Sequence, residues 1–253
     1  LYMRDWSDPA NVVFVNPGLS EEDVCGTRVI ANARVMLGAL REHGGTPVTV
    51  AGNLNRKFVR HVFDRYVWPV DDYVDLIRKV TKVYNEQNFW DIHVDRVLLE
   101  LAGYIRKHKK RFIATKRSGE VFERARVGEA FAHLFQTCFH KLSLDYVVPM
   151  YCEVPEVQQA AAYSFYRVGQ LAEDWILAKE LAPEILTPQA RAAAVAHDFR
   201  EDYQIRAAAA RITRPLLNFG LLEKRRGPRE DDVGKMSYLR KTPLFDKLLT
   251  FRL

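Results

Sequence analysis

The sequence predicts a mainly α protein made of two helix-and-hairpin units joined by a helical middle segment, on three observations. Apolar residues recur at helical spacing through most of the 253 residues. The run Leu98-Leu99-Glu100-Leu101-Ala102-Gly103-Tyr104-Ile105-Arg106-Lys107, then Arg111-Phe112-Ile113-Ala114-Thr115-Lys116, reads as an apolar helix end, a glycine, a basic strand, a polar turn and a second strand closing on Thr. The same order returns at Leu216-Leu217-Asn218-Phe219-Gly220-Leu221-Leu222-Glu223-Lys224-Arg225, then Ser237-Tyr238-Leu239-Arg240-Lys241-Thr242. Self-similarity of this kind bears on architecture before any function is considered.

Each element follows from local signals. Residues 1–19 read as extended, with Asn11 to Val15 a short β-like run stopped by Asn16-Pro17-Gly18. Ser20 before Glu21, Glu22 and Asp23 is an N-cap with acids at the positive helix end, and Val29, Ile30, Ala33, Leu37 and Leu40 continue one helix to His43-Gly44-Gly45. Thr46 to Val50 suits a strand, residues 51–54 a turn, and Phe58, Val59, Val62 and Phe63 a second helix that Trp68-Pro69 ends. A helical stretch near Tyr73 to Tyr84 and a break at Asn85 to Asn88 precede the third helix, Ile92 to Ala102, which runs into the first hairpin. Residues 120–186 read as wholly helical, and Thr187-Pro188 opens an alanine-rich helix toward the second hairpin, whose turn spans Gly227 to Gly234. The expected divisions are 1–19, 20–120, 121–186 and 187–253.

A net charge of +6 is too small to name a partner, but its distribution is uneven. Between residues 106 and 117 stand Arg106, Lys107, Lys109, Lys110, Arg111, Lys116 and Arg117 with no acid among them, and Arg56, Lys57 and Arg60 on the second helix extend the set. Cations on a turn neutralise phosphates without demanding a base sequence. The outer face of the third helix is expected to offer Asp91, His93, Asp95, Arg96 and Glu100, too acidic for a reader of the major groove. Tyr104 and Phe112 are the candidates for stacking on bases. The acids Glu230, Asp231 and Asp232 in the second turn favour a structural or partner-facing role there.

The order helix, helix, helix, strand, basic turn, strand resembles the winged-helix superfamily over about residues 25–120, and less fully over 187–253. The resemblance implies two winged-helix-like units in a family dominated by nucleic-acid-binding regulators of helix-turn-helix type, with a minority of protein-interaction members. Thr49 to Lys57, Asn85-Glu86 and the Leu99 to Arg106 segment also look like a region of uncharacterised bacterial proteins, which carries no activity with it.

Enzymatic signatures are weak. Gly44-Gly45 and Ala51-Gly52 lack the spacing of a phosphate loop, and Gly-x-Ser-x-Gly does not occur. His133, Cys138, His140 and Cys152 lack the paired spacing of closed zinc sites, so neither metal nor cofactor is expected. Asp91, His93 and Asp95 read as exposed polar residues, and His197-Asp198 carries only a minor reading as a metal-dependent phosphohydrolase. Cys25, Cys138 and Cys152 suit small core positions in a reducing compartment, and without a signal segment or a long apolar run a cytoplasmic location off the membrane is expected. The expectation is a non-enzymatic nucleic-acid-binding protein, DNA ahead of RNA. The alternative is an assembly subunit that docks protein partners or itself.

Overall fold

The computed structural model describes residues 6–69, 73–148, 153–196, 201–226 and 237–252. In chain order the elements are β1 (Val13–Val15), α1 (Glu21–Val24), α2 (Arg28–Glu42), β2 (Thr46–Pro47), α3 (Arg56–Phe63), α4 (Tyr73–Val80), α5 (Trp90–Leu101), β3 (Ile105–His108), β4 (Arg111–Ala114), α6 (Val127–His140), α7 (Leu144–Val147), α8 (Pro155–Gln159), α9 (Ala161–Leu171), β5 (Ile176–Leu177), α10 (Ala178–Glu184), α11 (Pro188–Val195), α12 (Glu201–Asn218), β6 (Leu222–Arg226), β7 (Ser237–Lys241), α13 (Pro243–Leu248) and β8 (Leu249–Phe251). The protein is mainly α. No helix among the described residues is long and apolar enough to cross a membrane.

Two compact units divide the chain: Ser20–Thr137, and Leu1–Leu19 with Cys138–Leu253. In the first, β2, β4 and β3 form an antiparallel sheet in that order, with Thr46 opposite Phe112 and Lys107 opposite Phe112 on its other side. The helix expected from Ser20 to Leu40 is two helices. Thr27 turns extended and returns both its amide and its hydroxyl to the Val24 carbonyl, the latter at 2.6 Å, which restarts the helix at Arg28. The second helix stops at Phe63, before Trp68-Pro69, where the Phe63 carbonyl accepts from the Tyr66 amide at 3.4 Å and from the Trp68 indole at 3.1 Å.

In the second unit β5, β7 and β6 form a sheet of the same order, and β1 pairs antiparallel with β8, Val13 opposite Phe251. Residues 120–186 are therefore not wholly helical, since Ile176–Leu177 pairs with Tyr238 and Leu239. The apolar stripes do form the core: Phe139 and Phe165 meet edge to face at 4.7 Å, and Trp6 lies 5.5 Å from Phe165. Thr187 caps α11 by accepting from the Ala190 amide at 3.2 Å. Cys138 is buried, but Cys25 is exposed and not a core residue.

Each sheet is entered through the same backbone device. Gly103 (φ +77°) and Gly220 (φ +68°) take the left-handed conformation that ends α5 and α12. In the first copy Tyr104 N–H bonds Leu99 C=O, and in the second Leu221 N–H bonds Leu216 C=O, both at 2.8 Å. The threonine closing each hairpin then returns to the same glycine: Thr115 Oγ1 donates to Gly103 C=O and Thr242 Oγ1 to Gly220 C=O, each at 2.7 Å. The repeated Gly and Thr of the sequence are the two ends of one hydrogen-bonded clasp.

Candidate nucleic-acid interface

The first hairpin turns through Lys109 and Lys110, both left-handed at φ +46° and +60°. Two central residues at positive φ make the tight turn that matches strand twist, a geometry for which Asn-Gly is the usual choice. Both lysines are exposed, and the Lys110 carbonyl accepts from Val48 N–H at 2.9 Å, which fixes the turn beside the loop leading into α3.

The ten predicted cations fall into two groups. Arg106, Lys109, Lys110, Lys116 and Lys57 are exposed, and none has an ion pair or side-chain hydrogen bond among the described residues. The other five are engaged. Lys107 lies 3.7 Å from Glu100 and over the Phe112 ring. Arg111 donates to Gly45 C=O at 2.6 Å and so ties β4 to the end of α2. Arg117 is 3.6 Å from Glu120, Arg56 donates to Asn85 Oδ1 at 2.7 Å, and Arg60 lies over the Tyr84 ring. Arg56 and Lys57 also occupy the first turn of α3 with no acid beside them, the end where the helix dipole disfavours cations.

The third helix departs from expectation. His93 and Arg96, expected outside, are buried, while Asp91, Asp95 and Glu100 are half-buried. Glu86, fully enclosed before α5, explains the inward turn: Oε1 lies 2.6 Å from His93 Nδ1 and accepts from Arg96 Nε at 2.7 Å, and Oε2 accepts from Leu54 N–H. Arg96 Nη1 continues to Glu100 at 2.6 Å, and its guanidinium lies 5.1 Å over Phe112. Burial pushes the Glu86 carboxyl up, but the His93 bond, the Arg96 charge and the Leu54 amide together hold it below its ordinary value. Asp95 behaves in the opposite way. Its carboxyl is pushed up to about 7, chiefly by burial, and the Tyr66 hydroxyl donates to it.

Tyr104, just before β3, and Phe112, on β4, are fully buried and unavailable for stacking. Sequence reasoning also missed Glu42, His43 and His61, whose ligand atoms lie within 4.8 Å of one another and could hold a metal ion; Arg65 bonds to the same His61 imidazole. In the second unit an apolar cleft of about 740 Å³ is lined by Trp6, Val12, Tyr163, Tyr166 and Phe251. His197-Asp198, Cys152 and the acids Glu230 to Asp232 lie outside the described residues.

Residues 26–127, most of the first unit, match the model of the Y4jL N-terminal domain. The match fits the resemblance to a region of uncharacterised bacterial proteins. No curated protein and no solved structure of significant similarity was found.

Proposed function

We propose that the chain binds nucleic acid, DNA ahead of RNA, without catalysing a reaction on it, and that the tip of the first hairpin lies against the phosphate backbone. In support, the order α2, β2, α3, α5, β3, β4, with the extra helix α4 between α3 and α5, and the β2-β4-β3 sheet resemble a winged helix in which the β3–β4 hairpin would be the wing. The series α9, β5, α10, α12, β6, β7, with α11 between α10 and α12, follows a similar order within the second unit. The Lys109-Lys110 turn carries the reading. Left-handed backbone costs an ordinary residue roughly 1–2 kcal/mol, and lysine has no short polar side chain to offset it. Keeping two lysines there holds two unpaired charges at the most prominent point of the hairpin.

The buried faces of α5 leave little to read bases with, which favours backbone contact over sequence readout. With Tyr104 and Phe112 enclosed, the hairpin offers a duplex its charge and offers single strands no stacking platform. A second reading, docking of a protein partner, draws on the exposed Leu76 and Val80 of α4.

The test is the double substitution Lys109→Asn, Lys110→Gly, which suits the turn and removes both charges. Relief of two left-handed side chains, less the chain entropy that a glycine adds, should raise stability by about 1 kcal/mol. Affinity for a short fluorescent duplex should fall at least about tenfold at low salt, and the slope of log affinity against log salt should drop by about 2, near 0.9 per phosphate contact. Duplex binding with unchanged affinity and slope overturns the reading.

A further inference from the structure

We infer that the second hairpin carries its own phosphate-contacting face, formed by Arg214, Lys224 and Arg226, and that its ligand is again a nucleic-acid backbone. The strand register separates the cations of this hairpin into two sets. Leu222, Lys224 and Arg226 alternate onto one face, opposite Lys241, Leu239 and Ser237, while Glu223 and Arg225 fall on the other, opposite Arg240 and Tyr238.

The second of these faces is satisfied within itself. Arg225 and Arg240 stack on the Trp175 ring at 4.4 and 4.7 Å, and Arg240 Nε donates to Glu223 at 2.8 Å. On the first face α12 packs along β6 and brings Arg214 beside Lys224. Arg214, Lys224 and Arg226 are all exposed, and none has an ion pair or side-chain hydrogen bond among the described residues. Partial desolvation of the Lys224 ammonium against the hairpin first, then the Arg226 and Arg214 charges, hold it below its ordinary value, though the side chain remains exposed as a whole. Among the described residues no acid pairs with these three mutually repelling cations, Glu173 and Asp246 being taken by Lys241, so a bound phosphate would supply the counter-charge; Glu230, Asp231 and Asp232 of the turn lie outside the described residues. The hairpin's one described acid, Glu223, is held on the opposite face by Arg240.

This inference shares with the first hairpin only the class of ligand, and the two can fail separately. In the full chain, Arg214→Gln, Lys224→Gln, Arg226→Gln should lower the salt slope for the same fluorescent duplex by about 2 to 3, and weaken low-salt binding at least about tenfold. Lys224→Met, which keeps the packed stem, should lower the slope by about 1 with an unchanged thermal melt. Unchanged slope and affinity in both variants overturns the inference and leaves the first hairpin's role standing. The converse, full effect here with none from the Lys109 and Lys110 substitutions, removes the first and keeps the second. Polyglutamate that binds the wild-type protein but not the triple variant, with duplex affinity equal in both, would assign the face to an acidic protein and overturn the inference.

Discussion

The two hairpins are built by the same rules and differ in where their charges are left. Both begin at a left-handed glycine, both close through a threonine hydroxyl on that glycine's carbonyl, and both sheets carry a two-residue strand at the far edge. The first has a two-residue lysine turn with its free cations at the tip and beside it. The second keeps Arg225 and Arg240 against Trp175 and leaves Arg214, Lys224 and Arg226 open. Positions that the backbone geometry requires are held in common; positions that it does not require have diverged. Function is best read from the latter, because nothing in the fold accounts for cations placed without partners, at positive φ, or at the positive end of a helix.

The same contrast extends to the helices that lead into the hairpins, and its largest test lies there. The first unit seats α5 on Glu86, which serves His93, Arg96 and the Leu54 amide at once; the second seats α12 partly on Arg211, whose Nε lies 2.6 Å from Asp145. Removing one member of a buried charged network strands the others, at a cost of about 3–5 kcal/mol. Glu86→Ala should therefore unfold α5 and loosen β3 and β4, seen as lost amide-exchange protection in these segments with α12 still protected. Loss of protection in both helices together would show that the two units do not stand independently, and an effect under about 1 kcal/mol would show that Glu86 does not seat the helix.

A smaller effect separates the units by pH. The Asp95 carboxyl, raised from 3.8 to about 7, holds its proton more tightly in the folded chain than in the unfolded one. Stability on its account is complete at acid pH, below the unfolded value, and is lost as pH rises through about 7; at 1.36 kcal/mol per unit the loss reaches at most about 4 kcal/mol. Asp95→Asn still accepts the Tyr66 hydroxyl but cannot ionise. The variant should melt at a nearly constant temperature from about pH 5 to pH 8 while the wild-type protein declines, with the difference confined to the first unit. Parallel profiles for the two proteins would remove Asp95 as the cause.

What the sequence disclosed and what it hid follow from range. The clasp was legible because Gly103, Thr115, Gly220 and Thr242 act through neighbouring backbone, where residue type and conformation are tightly linked. Helix phases in α2 and α6 were legible for the same reason, whereas that of α5 was not. Glu86, His93 and Arg96 were not, because a pattern that puts charged residues outside cannot foresee three of them satisfying one another inside. The strand β2 lies inside the expected Thr46 to Val50 run, but β5 is two residues, too short to alternate, and β8 finds β1 from the opposite end of the chain. The lysine turn was visible as charge only, since lysine gives no local signal for positive φ.

The smallest effect bears most directly on whether the hairpins are one device used twice. Thr115→Val and Thr242→Val each delete a hydroxyl bond of 2.7 Å while keeping a β-branched side chain suited to a strand end. Each should cost about 1 kcal/mol, the net value of one such hydrogen bond, and the double variant should lose the sum because the two clasps share no partner. Both bonds join a side chain to the carbonyl of a left-handed glycine, the first exposed and the second half-buried. Equal costs in denaturant unfolding, with duplex affinity unchanged by either substitution, would show that the clasp belongs to the architecture and the cations to binding. A full cost at Thr115 with none at Thr242 would show that only the first hairpin depends on its clasp, and the likeness of the two would then be one of sequence order alone.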